Sequence, residues 1–121
     1  MRILVVEDER LIIELYKRHL KAHSLTFYND IATASIAMSA SKHQANEFDL
    51  VVTDLMQPNS SGFELLERQF LSVGRPVIIV SGFIRKELVL RAREKPNLHV
   101  LEKPIDWQHF LTLIESYDLM R

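Results

Sequence analysis

The chain has 121 residues, 47% of them hydrophobic, which is enough for one domain around one core and too little for two ordinary ones. Its formal net charge of -1 supplies no global field toward nucleic acid or an anionic membrane, so no direct contact with either is expected. With no cysteines it has no disulfide framework, thiolate zinc site or thiol nucleophile, and "MRILVVEDE" is neither a signal peptide nor a membrane span, so a cytoplasmic location is expected.

Short β-rich runs recur at Ile3 to Val6, Leu25 to Tyr28, Leu50 to Thr53, Val77 to Val80 and His99 to Leu101, each followed by a stretch that suits a helix. That alternation predicts an α/β fold, a parallel sheet with helices on both faces. After the first run, Leu11, Ile12, Leu15, Tyr16 and Leu20 share one arc of the helical period. His19 falls inside this arc and is expected to be a core-edge histidine with a satisfied hydrogen bond rather than a ligand. The second helix, around Ala32 to His43, has Ile36 and Met38 as its large apolar residues, which predicts close packing with modest anchoring.

The third helix begins at "SSGFE", where Ser61 and Glu64 have the spacing of a capping box and Phe63, Leu66 and Phe70 make an inward face. The fourth, Ile84 to Lys95, carries Arg85, Lys86, Arg91, Arg93 and Lys95 against Glu87 and Glu94, and stops at Pro96. Its exposed side is expected to be basic. In the last helix Asp106 is placed to cap, Ile105 to staple onto Phe110, and Phe110, Leu111 and Ile114 to face inward.

The strand Leu50 to Thr53 stops on Asp54, and an unpaired carboxylate buried at its end would be costly, so Asp54 belongs at a strand's mouth in polar company. Ligands of open α/β sheets bind at the carboxyl ends of the strands. The residues arriving there are Glu7 and Asp8, Asp54, Ser81 and, just past the fifth strand, Lys103. Three carboxylates brought together raise one another's pKa, an arrangement that makes sense around a cation. Oxygen-only ligands on a partly hydrated site suit magnesium. A carboxylate, a hard metal, a lysine and a hydroxyl are the parts needed for phosphoryl transfer onto an aspartate.

The acid pair Glu7-Asp8, "DLMQP" from Asp54, Gly62 before a helix, Ser81-Gly82 and Lys103-Pro104 together resemble the receiver domains of two-component response regulators, the CheY-like superfamily. The resemblance runs from Met1 to about Ser116. It implies a flavodoxin-like (βα)5 fold, a doubly wound five-stranded parallel sheet in the order 2-1-3-4-5, with residues 1–121 forming a single receiver domain and no effector domain in this chain. It also implies that Asp54 is the phosphoacceptor, that Asp8, Asp54 and the Met56 backbone carbonyl bind Mg2+ (or Mn2+), and that Glu7 supports the metal through water. Lys103 would contact the phosphoryl oxygens, Ser81 would move to hydrogen-bond them, Gly82 would leave room for access, and Lys103-Pro104 would be a cis peptide.

By the same resemblance the phosphoryl donor is a histidine kinase or histidine phosphotransfer protein. The output passes to a downstream protein or a homodimer through the face of the fourth helix, fifth strand and fifth helix. Such a chain catalyses only its own phosphorylation and slow dephosphorylation.

Several positions depart from the family pattern. Val100 stands where receivers usually carry Tyr or Phe, Gln57 replaces an apolar residue, and Glu7 replaces Asp. By the same resemblance Met56 and Phe83, bulky and apolar here, stand at positions that flank the phosphoryl group in the family and predict slow self-dephosphorylation. Trp107, close to Lys103, offers a fluorescent reporter. A magnesium phosphohydrolase would show a second acid at Met56, and a dinucleotide-binding enzyme would need a glycine-rich first turn instead of "VEDER". The stronger rival is a receiver-fold interaction module that signals without phosphorylation.

Overall fold

A computed structural model describes residues 1–39, 47–54, 61–82 and 86–120. Each β-rich run forms a strand and each following stretch a helix, in the order β1 (Arg2–Val6), α1 (Arg10–His19), β2 (Ser24–Tyr28), α2 (Ile31–Ser39), β3 (Leu50–Asp54), α3 (Ser61–Gln69), β4 (Val77–Ser81), α4 (Lys86–Glu94), β5 (Leu98–Glu102) and α5 (Trp107–Leu119). A short 3-10 turn, Leu71–Val73, follows α3 and has no counterpart in the sequence reading. The five strands form one sheet in the order β2-β1-β3-β4-β5, every pairing parallel. This is the expected doubly wound arrangement, with the strand order reversing beside β1 and β3.

The central strands are apolar without alternation because both faces are covered. Leu4, Val6, Val51, Val77 and Ile79 face one cluster with Ala34 of α2, Phe63 and Leu66 of α3, and Phe70. Ile3, Val5, Leu50, Val52, Ile78 and Val80 face the other, with Tyr16 from α1, Leu20 just past its end, and Phe110 and Ile114 from α5. The edge strands β2 and β5 are mostly half-buried.

Most inward residues fall where the helical pattern puts them, but Leu11 is 79% exposed. It sits in the first turn of α1 at the margin of the arc centred on Ile12, Tyr16 and His19. His19 packs ring against ring on Trp107, at 4.4 Å and 10° between planes. His23, four residues on, does not continue that face: α1 ends at His19, and His23 Nδ1 lies 3.0 Å from the Met1 amine.

On α2, Ile36 is 70% exposed while Ala34 and Ala37 are buried, so the helix is held by small residues. Gln69 Nε2 of α3 also donates to Ser35 Oγ at 3.2 Å. The predicted start of the third helix falls at Ser61, the first residue of α3, and Asp106 caps α5 by accepting the His109 N–H at 3.2 Å. Ile105 packs against the cluster that contains Phe110, as the staple requires.

The basic side of α4 is partly neutralised within the fold. Arg91 and Lys95 reach Glu67 of α3 at 3.7 and 3.4 Å, and the Arg91 guanidinium lies 4.6 Å from the centre of the Phe63 ring. His43, Ile84 and Arg85 lie outside the described residues.

Candidate functional site at the carboxyl ends of the strands

The parallel register assembles the site. Val6, Thr53, Ile79 and Val100 stand side by side across the sheet. One residue further along come Glu7, Asp54 and Val80, the last two paired, and then Ser81 beside Glu102. Lys103 follows at once, and its backbone N–H donates to the Ser81 carbonyl at 2.8 Å. Its side chain crosses to Asp54, with Nζ 2.8 Å from Oδ2. The carboxylate that ends this otherwise buried strand therefore has a cation for company.

Glu7 and Ser81 are buried, whereas Asp8 and Glu9 are exposed. Glu7 Oε2 accepts the backbone N–H groups of Asp8 and Glu9 at 3.0 and 3.1 Å, which folds this carboxylate onto the turn leading into α1. Burial pushes the Glu7 carboxyl above the ordinary value of 4.5 and the Asp54 charge pushes it further, against the pull of those amides and of Lys103. Partial burial alone would lower the Lys103 pKa, but the hydrogen bond and charge of Asp54, then the charges of Glu7 and Glu9, raise it above 10.5. Beneath the site the Tyr16 phenol is held well above its usual range by burial and by the charges of Glu7 and Asp54.

Of the residues expected at this edge, Lys103 meets Asp54 directly, Glu7 acts on Lys103 through its charge, and Ser81 is joined to Lys103 through its backbone carbonyl. Among the described residues no three acidic or histidine side chains gather closely enough to enclose a metal ion, and one Asp54 oxygen is taken by Lys103. The donor set nevertheless suits a hard cation: it is carboxylate oxygen only, and Glu7 lies near enough to Asp54 for the charge of one to act on the other. Met56, Gln57 and Phe83 lie outside the described residues. Lys103-Pro104 is cis. At Gly82 an added Cβ would meet no heavy atom within 4 Å among the described residues.

The sequence pattern of the family described as response regulator receiver domain matches residues 3–115. The chain belongs to this family. The receiver is 31% identical over 118 residues to the two-component response regulator ARR2 of Arabidopsis thaliana, covering 90% of this chain and 17% of that protein. It is 31% identical over 119 residues to ARR12 of the same plant, covering 90% and 19%. The chain thus spans about a fifth of the length of these curated relatives.

Among solved structures, the non-phosphorylated HemR receiver domain of Leptospira biflexa aligns with a TM-score of 0.74 at 26% identity, covering 96% of this chain and 92% of that one. The signal receiver domain of a putative Luxo repressor protein from Vibrio parahaemolyticus gives 0.73 at 27%, covering 96% and 88%. Chemotaxis protein CheY4 of Vibrio cholerae shares the fold, at 0.73 and 18% identity over 96% of this chain and 97% of that one.

Reading the sequence missed two features of this receiver. Glu9 adds its charge to the field at Lys103, a role that the family pattern, which uses only Glu7 and Asp8 of "EDE", does not imply. Tyr16 and Trp107 form an aromatic floor with Phe110; the signals available were the helical spacing of Tyr16 and His19 and the place of Trp107 just after Lys103.

Proposed function

We propose that this receiver accepts a phosphoryl group on Asp54 from the phosphohistidine of a histidine kinase or histidine phosphotransfer protein. An oxygen of the Asp54 carboxylate attacks phosphorus in line as the bond to the donor's imidazole nitrogen breaks, so the work left to the protein is positioning and charge neutralisation. The observation that carries this reading is the 2.8 Å contact of Lys103 Nζ with Asp54 Oδ2 at the mouth of the sheet. Once Asp54 carries the phosphoryl group as an acyl phosphate, the ammonium is in reach of the new phosphoryl oxygens, and Ser81 at the end of β4 is the hydroxyl to join it.

Glu7, Asp8, Asp54 and the Met56 carbonyl are the groups that would hold Mg2+ or Mn2+, and the metal when bound would neutralise phosphoryl charge. Glu7, pinned by two backbone amides, keeps its carboxylate at the site.

The added charge biases an existing equilibrium in the loops and in α4. The output surface in this reading is the α4–β5–α5 face. Val89 and Leu90 are exposed there, and Val89, Ala92, Leu98, His99 and Val100 line a cleft of about 310 Å³. Val100 packs against the core cluster and offers no aromatic ring to report the change. That substitution favours the second reading, an interaction module that works without phosphorylation in the same cytoplasmic setting.

Transfer from a labelled phosphohistidine donor in the presence of Mg2+ tests the proposal. Label should appear on the wild type and not on Asp54→Asn. A receiver that binds its partner equally well before and after Asp54→Ala and never takes label would be the second kind.

A further inference from the structure

We infer that Trp107 is a positioning residue for Lys103, tying the segment that carries this lysine to α1; the inference rests on the reading of Asp54 as phosphoacceptor. Lys103 is held to the sheet through its backbone N–H and the Ser81 carbonyl at 2.8 Å. Beyond it the chain leaves the sheet, and beside it the packing is open: Ile12 and Leu15 of α1 line a cleft of about 390 Å³ together with Lys103, Pro104, Ile105 and Trp107. Ile105 packs against the core cluster that contains Tyr16 and Phe110, and the Trp107 ring then meets α1 directly. It stacks on His19 at 4.4 Å and 10°, meets Tyr16 edge-on at 5.2 Å and 85°, and meets Phe110 at 5.6 Å and 76°.

Tyr16 and Phe110 are buried, at 2% and 0% exposure, so the ring is set against a rigid floor. Offset and edge-on ring pairs have preferred geometries, and three of them at once restrict how the indole can sit. Trp107 is also the first residue of α5, with Asp106 capping the helix just before it. The short segment from Lys103 to Trp107 is thus fixed at Ser81 on one end and at the His19–Tyr16 pair on the other, with Ile105 resting on the core cluster between them. Lys103 is a flexible side chain whose use here depends on where its stem begins. Releasing the far anchor would let the segment shift into the cleft and draw Nζ away from Asp54.

The test compares the wild type, Trp107→Ala, Trp107→Phe and His19→Ala in two assays. One follows phosphoryl uptake from acetyl phosphate with Mg2+. The other, on metal-free protein, follows the rate of reductive methylation at each lysine by peptide mass spectrometry, with exposed Lys17 and Lys21 as internal standards. Trp107→Ala should slow uptake on the order of 10-fold, since small displacements of a positioned group are costly. It should also speed methylation of Lys103 severalfold while leaving Lys17 and Lys21 unchanged, and Trp107→Phe should restore most of both.

If Trp107→Ala does not fold, His19→Ala decides, and it should shift both assays in the same directions by a smaller factor. Unchanged Lys103 methylation in a folded variant would overturn the inference, and so would a rise shared by all three lysines, which marks general loosening. A wild type that takes no phosphoryl group while Lys103 still becomes reactive in Trp107→Ala would overturn the reading of Asp54 and leave the positioning role standing.

Discussion

Lys103 Nζ lies 2.8 Å from Asp54 Oδ2, with 33% of the lysine side chain and 18% of the aspartate side chain exposed. In the proposed reading the ammonium competes with a metal for that carboxylate before transfer and serves the phosphoryl oxygens after it. Lys103→Met should lower phosphoryl uptake on the order of 100-fold, the scale on which a preorganised electrostatic group acts. It should at the same time tighten Mg2+ binding, measured by calorimetry. A variant that loses uptake and also binds Mg2+ more weakly would show that the ammonium does not compete for Asp54.

Glu7 gives a stability prediction whose sign follows from its raised pKa. Below its ordinary value of 4.5 the group is protonated in both folded and unfolded chains and contributes no penalty. As pH rises through the higher folded pKa, the folded protein must ionise a buried carboxyl, so stability falls and the cost is fully present at neutral pH. Glu7→Gln, which keeps an oxygen for the two backbone amides, should raise the melting temperature of metal-free protein at pH 7 by roughly a few degrees. The gain should vanish in acid. An equal gain at both extremes would mean that the charge is not its source.

His99 on β5 has the opposite behaviour. Burial, then the charge of His109, lowers its pKa from 6.5. The unfolded chain takes up a proton near 6.5 while the folded chain resists, so stability drains away as pH falls from neutral toward the lower folded value. His99→Asn should flatten the pH dependence of the urea midpoint in that window, and His109→Ala should flatten it less. Identical slopes for all three proteins would remove His99 from the explanation.

Phe110 and Leu11 separate core from surface. Phe110 is fully buried in the cluster with Tyr16 and Ile114, so Phe110→Ala should cost about 3–5 kcal/mol in denaturant unfolding. Leu11, apolar but 79% exposed, should tolerate Leu11→Ser within about 0.5 kcal/mol. A loss of more than about 2 kcal/mol for Leu11→Ser would restore it to the core, on the scale of buried leucines.

That pair also shows what was legible in the sequence. Strand positions were readable because the central strands are buried on both faces, leaving uninterrupted β-branched runs such as Val51-Val52 and Ile78-Ile79. Helix faces were readable in their middles and poor at their margins, where Leu11 sits beyond the sheet's cover and α2 is held by Ala34 and Ala37 rather than Ile36. Strand ends named Glu7, Asp54, Ser81 and Lys103 because the parallel topology must bring such residues to one side. Pairings between elements were less accessible. Neither the capture of Arg91 and Lys95 by Glu67 nor the stacking of His19 on Trp107 has a local signature, since each depends on how two helices settle against each other.

The most direct measurement is intact mass after incubation with acetyl phosphate, with and without Mg2+, for the wild type and Asp54→Ala. One phosphoryl adduct that requires Mg2+ and disappears in Asp54→Ala is the expected result. An adduct that persists in Asp54→Ala, or a wild type that takes none from acetyl phosphate or from phosphohistidine donors, would contradict the assignment of Asp54 as phosphoacceptor.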